Sequence, residues 1–204
     1  MGGAAAVLTM GARAARLLYL VRHGETDWNA ALRWQGHTDV PLNANGRAQA
    51  RLLAAWAREV GLAGIVASDL CRAEETARIV AAELGMGVAY LDPELRERCF
   101  GCFEGLTRED CERIHPEAWQ AWLAERRAPF GAETYEALTE RALSAVARVA
   151  DRVATRRAPA LVVTHGGTLR AVVAAATGVL PPPVKNVEVW RVLWQGRPLS
   201  AQRA

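Results

Sequence analysis

Lysine is nearly missing from this chain: Lys185 is the only one among 25 basic residues, and the other 24 are arginines. The formal net charge is only +3, and acidic residues are interspersed with the basic ones. That excludes the clustered basic stripe expected of a nucleic-acid binder. Cysteine is scarce too. Cys71, Cys99, Cys102 and Cys111 have no disulfide-framework spacing, which excludes a disulfide-stapled miniprotein and points to a reducing, cytoplasmic compartment. Cys99 and Cys102 form a C-x-x-C without a second such pair or a thioredoxin context, so they read as ordinary thiols. No run approaches the roughly 18 apolar residues of a membrane helix, and no group of carboxylates has the makings of a metal site. The composition is 51% hydrophobic and 23% charged, which excludes a disordered chain.

Residues 1–15 lack the charged start and strong apolar stretch of a signal peptide. They read as a flexible extension, with Met10 as an alternative start. Residues 16–204 read as a single domain, a length that can bury a core without staples. RLLYLVR (16–22), GIVASD (64–69), VAYL (88–91) and PALVVT (159–164) read as buried strands. Helices are expected over 44–60, 70–84 and about 133–156, and from Gly166 to a stop at Gly178. Thr107 and Asp110 make a capping box, Pro116 fits a first helical position, and residues 107–130 read as a helical insertion. VEVWRVLW (187–194) alternates as a last, edge strand, which offers a pairing surface for a homodimer. The expected fold class is α/β: a three-layer α/β/α sandwich with a mostly parallel sheet and a small helical cap.

In such sheets, ligands bind beyond the carboxyl ends of the strands. His23 and Arg22 close the first strand, and Asp69 and Arg72 follow the second. Glu97 follows the third after a short loop, and His165 follows the strand at 159–164. Two arginines can hold the non-bridging oxygens of a phosphate. A neutral histidine can attack phosphorus, a second, protonated one can stabilise the equatorial oxygens, and a carboxylic acid can protonate the leaving oxygen. The scheme needs no metal and no other cofactor.

Five ordered blocks then carry a resemblance: LVRHGETDWN (20–29), RWQGHTDVPLNANGRAQA (33–50), SDLCRAEETA (68–77), LRERCFGCFEG (95–105) and THGGTLR (164–170). Together they resemble the histidine phosphatase superfamily, also called the phosphoglycerate mutase-like family. The resemblance implies that His23 is the phosphorylated nucleophile, that Arg22, Arg72 and His165 complete the phosphate pocket, and that Glu97 is the proton donor. It also implies that Asn29 and the Gly166 N–H add donors, that Gln35 and Gly36 line the substrate side, and that Arg98 matches a mutase contact to the substrate carboxylate. Gly131-Ala132-Glu133-Thr134 stands where relatives often carry Gly-Gly-Glu-Ser.

The core residues serve phosphatases and mutases alike, so the insertion decides. Only 27 residues, 106–132, lie between Gly105 and Glu133, fewer than in the mutases for which the family is named. A smaller lid admits water, and water hydrolyses phosphohistidine. The expected activity is therefore a metal-independent phosphomonoester hydrolase acting on a small phosphorylated metabolite, with neither nucleic acid nor membrane as partner. The alternative is a mutase using 2,3-bisphosphoglycerate as cofactor. Arg126 and Arg127 after Trp122, with Arg108, resemble the mutases' substrate-binding arginines, although a solvated helix face accounts for them as well. A third reading is a non-catalytic sensor of a phosphorylated ligand.

Overall fold

A computed structural model describes residues 14–204, so the reading of residues 1–15 as an extension, and of Met10 as a start, falls almost wholly outside the described residues. Among the described residues, six strands form one mixed sheet in the order β3-β2-β4-β1-β5-β6. They are β1 (Arg16–Arg22), β2 (Gly64–Ala67), β3 (Val88–Leu91), β4 (Ala160–Thr164), β5 (Val189–Trp194) and β6 (Pro198–Arg203). The first four run parallel, and β5 and β6 are antiparallel additions beside β1.

Successive strand residues point to opposite faces of a sheet, and the core divides accordingly. Leu18, Leu20, Val66, Ala160 and Val162 face one hydrophobic cluster, which also holds Val146 and Val149 of α6 (Tyr135–Arg152) and Leu169 and Val172 of α7 (Gly166–Thr177). Val21, Ile65, Ala67, Leu161 and Val163 face the other, with Leu53 and Ala57 of α2 (Ala44–Val60) and Ala77 and Val80 of α3 (Cys71–Glu83). Strands buried on both sides explain why these segments read as unbroken apolar runs. The result is the three-layer sandwich the sequence predicts.

The caps follow residue chemistry. Asn43 accepts the Gly46 N–H at 2.8 Å and opens α2, and Gly61 closes it at φ 68°, where a side chain would be strained. Thr107 and Asp110 form the expected capping box of α4 (Arg108–Ile114), and Pro116 begins α5 (Pro116–Glu125). These two helices pack Trp119 and Trp122 with Phe103 and Cys111 in a third cluster, the cap. A short helix, α1 (Asp27–Ala30), was not read from the sequence.

Two expectations are corrected. The long helix expected from Glu133 starts at Tyr135, because the Thr134 side chain accepts the Ala137 N–H and caps it, and it ends at Arg152. The segment at 187–194 is no edge strand. Val187 has φ 51°, the strand begins at Val189, and β5 is bonded to β1 on one side and to β6 on the other. The surface read as a homodimer edge is therefore occupied by the chain's own β6.

Candidate active site

Register assembles the site. Arg22 of β1 lies opposite Thr164 of β4 in the parallel ladder, so the next residues, His23 and His165, emerge side by side. The His23 N–H donates to the Thr164 carbonyl at 2.9 Å, and the imidazoles meet edge to face, 5.1 Å apart. On the other side of β4, the Ser68 N–H donates to Val163 O at 2.9 Å, which places Ser68 beside His165. Arg72 enters from the first turn of α3. A cation there opposes the helix dipole, and its side chain is completely buried.

Each ring's partners determine its tautomer. His23 Nδ1 lies 2.6 Å from the Gly24 carbonyl, which can only accept. Nδ1 therefore carries the hydrogen, and Nε2 keeps a lone pair. His165 Nε2 lies 2.9 Å from Ser68 Oγ, which already accepts the Leu70 N–H at 3.3 Å. The Ser68 hydroxyl has no other acceptor among the described residues, so it donates to Nε2 and leaves the hydrogen on Nδ1.

Three buried donors here have no hydrogen-bond partner among the described residues: Arg22 Nε, Arg72 Nε and His165 Nδ1. Their guanidiniums are otherwise tied down. Arg22 Nη1 donates to Val184 O at 2.7 Å, and Arg72 donates to Thr38 O at 3.0 Å and Gly36 O at 2.8 Å. An unsatisfied buried donor costs about 1–3 kcal/mol, and three in one place match a tetrahedral oxyanion beside the His23 lone pair.

Burial, then the charges of Arg72 and Arg22, hold the His23 imidazole well below its ordinary range. Burial and Arg72, with His23 and Arg22 following, do the same to His165. In the free protein, burial and the two arginines therefore oppose the protonation expected of the second histidine. The unfolded chain takes up protons at these positions below a pH of about 6.5, whereas the fold resists them. Their contribution to stability is present above that pH and is lost on acidification. Both ring signals should stay in the neutral form between pH 7 and 6 in an NMR titration of the free protein. A midpoint near 6.5 for either would contradict this geometry.

The other expected residues are distributed as follows. Glu97 accepts the Gly167 N–H at 2.9 Å and the Arg98 N–H at 2.8 Å. It is not an ion-pair partner of Arg96, which pairs with Asp69 instead. Gly166 opens α7, so its N–H is one of the first-turn donors that have no partner within the helix. Asn29 Oδ1 accepts the Thr26 N–H and Asn186 Nδ2, leaving the Asn29 amide hydrogens as donors. Gln35 is buried, and its Oε1 has no hydrogen-bond partner among the described residues. Gly36 sits at φ 55°, and a Cβ there would fall 2.0 Å from Glu104 Oε1. Arg98 lies over the Trp122 ring at 4.6 Å and donates to Glu133 O at 2.8 Å. Arg108, Arg126 and Arg127 are exposed, and Arg127 pairs with Glu125; the solvated-face reading fits them.

Several supporting residues were not singled out from the sequence. Ser68 fixes the His165 tautomer. Asn186 Nδ2 donates to the His23 carbonyl at 2.9 Å. Glu104 accepts the His37 and Thr38 N–H groups and the Thr38 hydroxyl, which holds the loop whose carbonyls anchor Arg72.

Comparison with known proteins gives the family. The family model described as histidine phosphatase superfamily (branch 1) matches residues 18–194. The chain belongs to that family. It is thereby a phosphatase-type enzyme by descent. It is 39% identical over 175 residues to phosphoglycerate mutase-like protein 4 of Arabidopsis thaliana, covering 84% of this chain and 74% of that protein. It is 36% identical over 159 residues to the metal-independent phosphoserine phosphatase of the same plant, covering 76% of this chain and 66% of the relative. Among solved structures, a mycobacterial glucosyl-3-phosphoglycerate phosphatase in complex with VO3 superposes with a TM-score of 0.80. It is 28% identical, and the match covers 92% of this chain and 97% of that one.

Proposed function

We propose that this protein hydrolyses a small phosphomonoester through a phosphohistidine on His23. The observation that carries the reading is the set of three unpartnered buried donors around a histidine whose Nε2 keeps its lone pair. His23 Nε2 attacks phosphorus, and the bond to the ester oxygen breaks. Arg22 Nε, Arg72 Nε and His165 Nδ1 donate to the non-bridging oxygens, where charge develops. Glu97, in its protonated form, gives its proton to the leaving oxygen. It then takes one from the water that attacks the phosphohistidine and frees phosphate. Asn29 and the Gly166 N–H supply further donors, and Gln35 and Gly36 border the substrate.

The preferred substrate carries a second anionic group. Arg22 and Arg72 are assigned to the phosphate; Arg98 and Arg170 form no direct ion pair with a carboxylate among the described residues, although Glu133 and Glu97 act on Arg98 and Glu97 on Arg170. Arg170 lies one turn along α7 from Gly166, on the same face, and its Nε donates to Pro181 O at 2.8 Å. Two of the proteins compared above are named as phosphatases of phosphoserine and glucosyl-3-phosphoglycerate, and both of these compounds bear a carboxylate. In excess EDTA, 3-phosphoglycerate should release phosphate with a kcat/KM at least about tenfold above that of glycerol 3-phosphate, a difference worth roughly 1.4 kcal/mol. Formation of 2-phosphoglycerate faster than phosphate, with 2,3-bisphosphoglycerate present, would make the mutase reading correct. Equal rates on the two esters would remove the second anion.

A further inference from the structure

The proton donor is held in place by a residue that never reaches the substrate. Arg141, in the middle of α6, spends all five N–H donors on two targets. Nε donates to Glu133 Oε1 at 2.6 Å and Nη2 to Glu133 Oε2 at 2.7 Å, a fork on one carboxylate. The remaining donors go to main-chain carbonyls of the loop that carries the acid. Nη1 reaches Glu94 O at 2.8 Å and Arg96 O at 2.7 Å, and Nη2 reaches Glu97 O at 2.9 Å. The one carbonyl skipped, Leu95 O, accepts the Thr164 hydroxyl at 2.8 Å. All four carbonyls from 94 to 97 are therefore bonded. Glu97 is fixed at both ends: its carbonyl by Arg141 and by His37 Nε2 at 2.8 Å, its carboxylate by the N–H groups of Gly167 and Arg98.

Stability alone is a poor reason for such a cluster. The Arg141 and Glu133 side chains are only 17% and 15% exposed, and apolar residues of similar volume often serve stability as well or better than a buried ion pair. A planar five-donor group does something an apolar side chain cannot: it imposes one conformation on a loop by binding its carbonyls. Glu133 is itself fixed, because its carbonyl accepts Arg98 Nε, and Arg98 is stacked on Trp122 of the cap.

We propose that Arg141, oriented by Glu133, is a positioning residue that sets the Glu97 carboxyl at the distance and angle needed to protonate the leaving oxygen. This rests on Glu97 being the general acid, as read above. The main effect falls on proton transfer, because all five Arg141 donors are spent on Glu133 and the carbonyls of 94, 96 and 97; its charge also acts on His165, and Arg141→Lys keeps that charge.

The test uses leaving groups. Phenyl phosphate releases a basic oxygen that needs a proton; 2,4-dinitrophenyl phosphate releases one that does not. kcat/KM reports events up to the first irreversible step, transfer to His23. Glu97→Gln should lose about 100-fold or more on phenyl phosphate, within the range for a general acid, and under about threefold on the dinitrophenyl ester. Arg141→Lys should show the same selective loss, about 10- to 100-fold, because one ammonium cannot replace five donors. Glu133→Gln, which keeps the guanidinium and its carbonyl bonds, should lose about 3- to 10-fold in the same selective way and covers the case in which Arg141→Lys does not fold. Equal losses on both esters, or none, in folded Arg141→Lys and Glu133→Gln would overturn the positioning role while the acid reading stands. No leaving-group selectivity in Glu97→Gln would overturn the acid reading, and the positioning role with it.

Discussion

His23→Ala should lower phosphate release from p-nitrophenyl phosphate in excess EDTA by about 10⁴-fold or more, the scale seen when a covalent nucleophile is removed from a preorganised site. The loss is this large because no neighbouring group can substitute. His165 presents an N–H and not a lone pair, since Ser68 donates to its other nitrogen. Glu97 is engaged by two backbone N–H groups. The fold should tolerate the change, because His23 lies at the strand end and its side-chain hydrogen bond is to the adjacent Gly24 carbonyl. Inorganic phosphate should still raise the thermal midpoint of the variant, because Arg22, Arg72 and His165 keep their donors. Retained turnover would remove His23 from the reaction. A protein that releases no phosphate even as wild type, yet responds to a phosphorylated ligand both before and after the substitution, would instead be the sensor considered above.

Arg72→Met should cost about 10³-fold in kcat/KM, at the upper end of what one donor to developing charge contributes. Arg72 has two jobs, and methionine does neither. Its Nε is one of the three donors awaiting phosphate oxygen, and its two Nη groups hold the Gly36 and Thr38 carbonyls. Loss of those bonds loosens the 35–38 loop on the substrate side, so KM should rise as well as kcat fall. Removing the guanidinium also removes a charge that disfavours imidazolium at both His23 and His165. The ring signals of the variant should therefore move toward protonation at a higher pH than those of the wild type. An unchanged kcat/KM, or phosphate protection equal to that of the wild type, would show that Arg72 is a structural residue only.

What was legible in the sequence was whatever local order dictates. Four apolar runs form the parallel strands, and the rule that chemistry follows strand ends puts Arg22, His23, Arg72, Glu97 and His165 at one edge of the sheet. Adjacent parallel strands in register, Arg22 opposite Thr164, made neighbours of residues 142 positions apart. What was not legible depends on three-dimensional neighbours. The hydroxyl of Ser68 acquires its role only because β2 lies beside β4. Arg141 looked like one more arginine on an amphipathic helix, because its partners lie 8 to 47 residues away. The lowered proton affinity of His165 comes from burial and then from the charges around it, Arg72 first, which no spacing reveals. The mistaken edge strand has a similar cause. VEVWRVLW alternates as an edge should, but PLSAQR, polar and short, pairs outside it and is itself the edge.

The most direct test of the account is to trap the intermediate. The protein is mixed with ³²P-labelled p-nitrophenyl phosphate in excess EDTA and quenched within the first turnover, and the label is followed under acid and alkali and mapped by peptide sequencing. The expected result is a phosphoenzyme that is labile in acid and stable in alkali, with the phosphate on His23 and absent from His23→Ala. Phosphate release without any labelled protein, or a label on a residue other than His23, would contradict it.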